Sequence, residues 1–179
     1  MIEVSLVTDR MRVEKQYQHM GGASNPSVIE RVKQVISNEE FALNYVEEGQ
    51  VEKICRMVGF SDPLIVREYG ESGRKKLRVS GSYGDLGLQV WFSNQHYLFK
   101  FLISLQLLYT ERKISSAILI TSTKDETIDR IRRIKLSKGE RPPKSTVNYC
   151  DFESSVAQLR AVEEVITIPL TVMGLQESV

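Results

Sequence analysis

The chain has 179 residues, of which 41% are hydrophobic and 26% are charged, and its formal net charge is +1. This composition is typical of a globular protein, and the absence of any apolar run of about eighteen residues excludes a membrane-spanning helix. A net charge so close to zero neither favours nor excludes a nucleic acid as partner. The two cysteines are too few for a disulfide framework. We therefore expect a cytoplasmic protein in which residues 1–179 form a single domain.

The first third of the chain is predicted to be mainly helical. After an expected short strand at residues 1–7, Ser27 and Glu30 have the spacing of a helix N-cap and its capping-box partner. The same spacing recurs at Ser37, where a second helix is expected to begin. A third apolar stripe is closed by Gly59, which has the position of a C-terminal cap.

The middle of the chain has the pattern of strands around one buried helix. Residues 76–80 and 86–93 are predicted to be strands, separated by a turn that contains glycine and tyrosine. Residues 95–111 predict a strongly apolar helix with apolar residues on more than one side, which indicates burial against a sheet. Residues 116–122 are a continuous apolar run of strand length, as expected of a central strand.

The last part of the chain interrupts this pattern and then resumes it. Residues 124–150 are basic and contain proline, and we expect a long loop with one short helical piece there. An amphipathic helix at residues 152–162 and a final strand at 166–175 follow, and Pro169 inside that strand favours an edge or irregular position. The order of elements predicts an α/β fold with a mixed central sheet flanked by helices.

Basic residues concentrate between positions 130 and 144, where Glu140 is the one acid. The basic residues of this stretch are Arg130, Arg132, Arg133, Lys135, Lys138, Arg141 and Lys144. Such a local stripe can neutralise phosphates even when the whole chain is nearly neutral. The alternative is a solvated loop whose charges serve solubility alone.

Residues 86–94, with the apolar helix after them and the strand at 114–121, resemble the catalytic core of the BglII- and BstYI-like type II restriction endonucleases. Residues 156–159 and 168–175 resemble the last helix and strand of that family, and residues 11–21 resemble the start of a BstYI-like chain. The resemblance implies a restriction-endonuclease-like core of the PD-(D/E)xK group. It further implies a homodimer that binds double-stranded DNA at short palindromes and cuts it with Mg²⁺, in a restriction–modification or phage-defence system.

The catalytic positions that this resemblance assigns do not carry the expected side chains. Gln89 stands at the position of the metal-binding glutamate, Trp91 two residues later, and Ser80 at the position of the aspartate nine residues earlier. Asp85 and Glu71 are the nearby acids that remain as metal ligands. One missing charge at about 4 Å from a cation removes roughly 4 kcal/mol of attraction at an effective dielectric of about 20.

Three interpretations of these positions remain open. The chain is a non-cutting homologue that binds DNA or pairs with an active subunit, a working nuclease whose acids come from elsewhere, or a chain with an engineered Gln89. Where the chain binds DNA, the basic stretch 130–144 is the expected contact, with Arg141 or a neighbouring residue reaching guanine and with Asn148 and Tyr149 as further polar contacts. A different class of function is an interaction subunit that uses the same fold to hold a protein partner.

Overall fold

The computed structural model describes residues 10–23, 25–37, 55–61, 63–69, 75–92, 94–141 and 148–178. The strand expected at residues 1–7 and most of the helix expected after Ser37 lie outside these described residues. Within the described residues, none of the helices is both long enough and apolar enough to cross a membrane.

The centre of the fold is a five-stranded mixed sheet with the strand order β1-β7-β6-β5-β4. Its strands are β1 (Arg10–His19), β4 (Gly81–Tyr83), β5 (Leu86–Val90), β6 (Ser116–Ser122) and β7 (Leu170–Ser178). The three middle strands β5, β6 and β7 run parallel, whereas β1 and β4 add antiparallel edges. A separate antiparallel pair is formed by β2 (Leu64–Tyr69) and β3 (Lys75–Val79).

Helices cover both faces of the sheet. The helices whose bounds the structure gives are α1 (Pro26–Ile36), α2 (Leu98–Thr110), α3 (Lys124–Ser137) and α4 (Phe152–Ala161), and a short 3₁₀ helix at Gln95–Tyr97 leads into α2. Residues 55–58 are also helical. Because side chains alternate across a strand, Ile118 and Ile120 of β6 belong to the core under α1, while Ala117 and Leu119 belong to the core under α2. The predicted mixed sheet flanked by helices is therefore confirmed.

The strands and the helix predicted for the middle of the chain are present, but the second strand ends at Val90, and the short strand β4 occupies most of the segment expected to be a turn. The strand predicted at 116–122 is β6, and every one of its residues is buried, as a central parallel strand requires. The predicted apolar helix is the 3₁₀ helix together with α2. Leu105 of this helix and Ile114, which follows the helix, pack closely on β5, since a Cβ atom added at Gly87 would lie 3.3 Å from Leu105 Cδ2 and 2.9 Å from Ile114 Cδ1.

The first third of the chain also contains the ten-residue strand β1, which the sequence pattern did not reveal. Its pairing with β7 shifts register between Val13 and Lys15. Val13 packs in the core under α1, whereas Tyr17 packs in the core under α2. The bulge thus moves the apolar side chains from one face to the other, and this change hides the strand's alternation.

Three local predictions were wrong. The N-cap of α1 is Asn25, whose Oδ1 accepts from Val28 N and from Ser27 Oγ, so Ser27 itself lies inside the first turn. Pro169 lies one residue before β7, an interior strand, and its carbonyl accepts from Ala117 N at 2.9 Å. A proline just before a strand removes no N–H from the ladder.

The third correction concerns the loop expected at residues 124–150. Its first half is the 14-residue helix α3. Thr123 is the N-cap, and Oγ1 of this residue accepts from Glu126 N at 3.3 Å. The many charged residues of α3 hide the helical spacing of its buried positions. Thr123 and Glu126 nevertheless have the same capping-box spacing as Ser27 and Glu30.

Candidate functional site

The positions that the resemblance assigns to catalysis lie together at the carboxyl end of β5. Ser80 lies between β3 and β4, and Val90 N donates to its Oγ at 3.0 Å. Gln89 is on β5, opposite Leu119 of β6, and Trp91 follows directly after the strand. Three positions that are up to eleven residues apart in sequence therefore surround one strand end.

Gln89 is a buried neutral side chain, with 3% of its surface exposed. Its Nε2 donates to Val90 O at 3.1 Å, while no described residue donates to its Oε1. A buried amide can offer a cation a carbonyl dipole, but no charge. This neutral side chain therefore stands where the resemblance expects the metal-binding glutamate, and it donates to the backbone of its own strand.

Trp91 follows Gln89 by two residues and is the centre of an aromatic cluster. Its ring centroid lies 4.6 Å from that of Phe101 and 5.8 Å from that of Tyr97. The indole N–H donates to Asn94 O at 2.9 Å, which uses the single hydrogen-bond donor of this side chain. Trp91 thus packs against the start of α2 and holds the segment after β5 in place.

Asp85 is at the opposite end of β5 from Trp91. Its Oδ2 accepts from Ser115 Oγ at 2.5 Å, and its backbone carbonyl accepts from Ser115 N at 2.7 Å. With a rise of about 3.3 Å per residue, the Cα atoms of Asp85 and Gln89 are roughly 13 Å apart. The structure does not bring these two side chains together, and Glu71 lies outside the described residues.

The described residues at these positions do not fit a Mg²⁺ ion. The ion prefers charged oxygen ligands in near-octahedral geometry, whereas Ser80, Gln89 and Trp91 supply no carboxylate. In the part of the chain that the structure describes, no group of three or more His, Cys, Asp or Glu side chains is placed to hold a metal ion.

The basic stretch forms much of α3, and three of its side chains are bound within the protein. Arg130 is 5% exposed, and its Nη2 donates to Phe92 O at 2.5 Å. Arg133 makes a bidentate ion pair with Glu177, at 2.7 and 3.0 Å, and a further contact of 3.2 Å with Glu126. Lys135 forms an ion pair with Glu140.

The remaining basic residues of the stretch are more open to solvent. Arg132 is exposed and makes a surface ion pair with Asp129 at 3.2 Å. Lys138 and Arg141 are exposed at the end of α3 and just beyond it. Lys144 lies outside the described residues.

Glu126 is a buried carboxylate at the start of α3 that the sequence pattern did not indicate. It is 4% exposed, and its Oε2 accepts from Glu177 N at 3.1 Å. Burial raises the pKa of Glu126, although the Glu177 N–H and the charges of Arg133 and Arg130 act in the opposite direction. This carboxyl group joins the start of α3 to the end of β7.

Comparison with known proteins gives a likeness of fold. No protein-family model and no curated protein matches the chain. Among solved structures, the chain is similar to restriction endonuclease BglII in complex with a DNA 16-mer, with a TM-score of 0.59 and 13% sequence identity, over 89% of this chain and 74% of that chain. At this identity the likeness supports the fold alone: the protein has a restriction-endonuclease-like fold.

Proposed function

We propose that the protein binds double-stranded DNA and does not cut it. The observation that carries the second half of this proposal is the end of β5, where the positions of Ser80, Gln89 and Trp91 supply no carboxylate, Gln89 is buried and Trp91 packs on Phe101. The first half is supported by the fold, which is similar to that of a DNA-bound endonuclease, and by the exposed cations Lys138 and Arg141.

The missing charges are large enough to matter. Each absent carboxylate removes roughly 4 kcal/mol of attraction for a nearby cation at an effective dielectric of about 20. Since about 1.4 kcal/mol is a factor of ten, one lost charge weakens metal binding about a thousandfold. A chain that lacks the carboxylates expected at the positions of Ser80 and Gln89 therefore retains little capacity for metal-assisted hydrolysis.

Incubation with plasmid and phage DNA tests the proposal most directly. We expect the DNA to stay intact at high protein concentration, in Mg²⁺ and separately in Mn²⁺. Binding is measured in parallel from the fluorescence anisotropy of a labelled duplex at rising salt, and the affinity should fall steeply. Discrete fragments on the gel would contradict the non-cutting assignment and would place acids such as Asp85 or Glu71 in a Mg²⁺ site.

We further propose that such a chain contributes DNA contacts to an assembly, as a homodimer or beside an active subunit, in a restriction or phage-defence system. Light scattering after size-exclusion chromatography, with and without duplex DNA, measures the assembly. A monomer under both conditions would contradict the homodimer.

An interaction subunit without DNA binding is the second candidate function. It is favoured by the internal ion pairs of Arg133 and Lys135, because a cation held by a carboxylate is less available to a phosphate. The two candidate functions predict different results when DNA binding is measured at rising salt. Undetectable binding at low salt would exclude the first candidate and favour the second.

A further inference from the structure

The segment that leaves β5 lies beside a second segment that carries polar and aromatic side chains. Asn94 and Tyr149 form an isolated antiparallel β-bridge, and Gln95 N donates to Asn148 O at 2.9 Å. Asn148 is exposed and Tyr149 is half-buried. We call these two segments, residues 94–100 and 148–149, the β5 exit.

An exposed aromatic ring is held in place at the β5 exit. Tyr97 is 50% exposed, yet its ring lies edge-on against Trp91, with 68° between the two planes. Trp91 is fixed in turn by Phe101 and by its hydrogen bond to Asn94 O. A ring with such support is already oriented, so a planar ligand that stacks on it orders few further side-chain rotamers.

The charges around this ring suit a phosphodiester. His96 is exposed and Lys100 is partly exposed, and residues 95–110 contain no acid. An aromatic platform beside a positively charged side chain is the usual arrangement for binding nucleotides outside a duplex.

We propose that the β5 exit binds an unpaired base of DNA. The base stacks on Tyr97, His96 and Lys100 face the adjoining phosphate, and Asn148 offers its amide to the polar edge of the base. A paired base cannot take this place, because its neighbours in the duplex cover both of its faces. The inference rests on the proposed DNA binding and adds to it a preference for duplexes with a disrupted base pair.

The one tryptophan of the chain provides the measurement. Trp91 touches Tyr97, so a base that stacks on Tyr97 should change the tryptophan emission. Three DNAs are titrated: a fully paired duplex, the same duplex with one unpaired thymine, and a short oligothymidylate. We expect the duplex with the unpaired thymine to bind about tenfold more tightly than the paired one and to alter the emission, whereas the paired duplex leaves it unchanged.

Substitution of two exposed tyrosines gives a matched comparison. Tyr97→Ala should remove the tenfold preference, while Tyr97→Phe, which keeps the ring, should retain it. Tyr83→Ala is the control, because Tyr83 is 43% exposed on the edge strand β4, next to Phe60. Thermal unfolding of each variant verifies that the protein is folded.

Equal affinity for the paired duplex and the duplex with the unpaired thymine would overturn the inference, as would equal effects of Tyr97→Ala and Tyr83→Ala. If the paired duplex still binds in either case, the proposed function stands and the inference alone fails. Loss of binding to all three DNAs would overturn both.

Discussion

At the residue scale, Glu126 organises the meeting point of α3 and β7. Its carboxylate accepts from the backbone of Glu177 and contacts Arg133, which also binds the side chain of Glu177. A buried carboxylate is tolerated where hydrogen bonds and an opposite charge surround it. If one of these partners is removed, the remaining charge is left poorly solvated.

Arg133→Ala should therefore destabilise the protein by about 1–3 kcal/mol, since it leaves Glu126 buried without its guanidinium. Arg132→Ala is the control, because Arg132 makes an exposed ion pair with Asp129, and exposed pairs contribute only about 0–1 kcal/mol. Urea denaturation measures both variants. Equal losses would mean that the Glu126 contact does not stabilise the fold.

The pKa of Glu126 predicts a specific dependence of stability on pH. Burial raises this pKa above its usual 4.5, so the folded protein holds the Glu126 proton more tightly than the unfolded chain. The contribution of Glu126 is therefore greatest below pH 4.5 and is lost as the pH rises through the raised pKa. The free energy of unfolding of Glu126→Gln, relative to wild type, should increase from about pH 4 to about pH 7.

Glu153 provides a control of the opposite sign. Burial alone would raise its pKa, but hydrogen bonds from Lys15, from its own backbone N–H and from Lys124 N lower it overall. Its contribution is present above pH 4.5 and is lost as the pH falls through the lowered pKa. Glu153→Gln should thus be less stable than wild type near neutral pH and approach it in acid. Urea denaturation across this pH range measures the free energy of unfolding of both variants. If the two variants show the same pH dependence relative to wild type, the opposite pKa shifts of Glu126 and Glu153 are contradicted.

At the element scale, the position of α2 depends on a close approach to β5. Gly87 has no side chain, and this allows Ile114 and Leu105 to lie against the strand. The approach presses the apolar face of α2 onto the parallel strands and so fixes where its amino-terminal end meets Trp91. Packing in the core thereby positions the aromatic cluster at the end of β5.

Gly87→Ala should destabilise the protein by about 1–3 kcal/mol, because the new Cβ would lie 2.9 Å from Ile114 Cδ1. Ile114→Val removes that same atom. The double variant should therefore lose less stability than the sum of the two single losses, and the coupling is read from a double-mutant cycle in urea. If the two losses of stability are strictly additive, the new Cβ at Gly87 does not press on Ile114 Cδ1 in the folded protein.

At the scale of the whole molecule, a pair of exposed cations follows the carboxyl end of a parallel strand, and another pair precedes the amino end. Lys138 and Arg141 are exposed at and beyond the end of α3, on the chain that follows the carboxyl end of β6. Arg112 and Lys113 are exposed just before the amino end of β6. In open α/β sheets, ligands bind outside the carboxyl ends of the parallel strands, so we predict that Lys138 and Arg141 are the contacts of the proposed DNA complex.

The double variant Lys138→Ala, Arg141→Ala should weaken duplex binding and reduce the slope of log affinity against log salt by about 2, one for each lost phosphate contact. The pair Arg112→Ala, Lys113→Ala removes the same charge at the other end of the sheet and should leave the slope unchanged. Anisotropy titrations at several salt concentrations measure both. Equal slopes for the two double variants would contradict the assigned surface.

The sequence indicated the candidate site in part. The resemblance predicts Ser80, Gln89 and Trp91 as the catalytic positions, and the structure places them around one strand end. Glu126 was not identified, because its importance comes from contact with Glu177, which lies 51 residues away in sequence. The burial of Arg130 could not be predicted for the same reason, because its hydrogen-bond acceptor, Phe92 O, belongs to a distant segment of the chain.

The sequence by itself determined the elements whose pattern is local: the buried strand β6, the apolar helix α2 and the mixed α/β class that follows from their order. Periodicity and composition suffice there, because each residue's environment repeats along the element. Tertiary structure alone decided the bulged edge strand β1, the ion pairs of α3 and the packing of Trp91 on Tyr97 and Phe101 at the end of β5. These depend on which distant residues meet, and pairing energies between distant groups leave no periodic signal in the sequence.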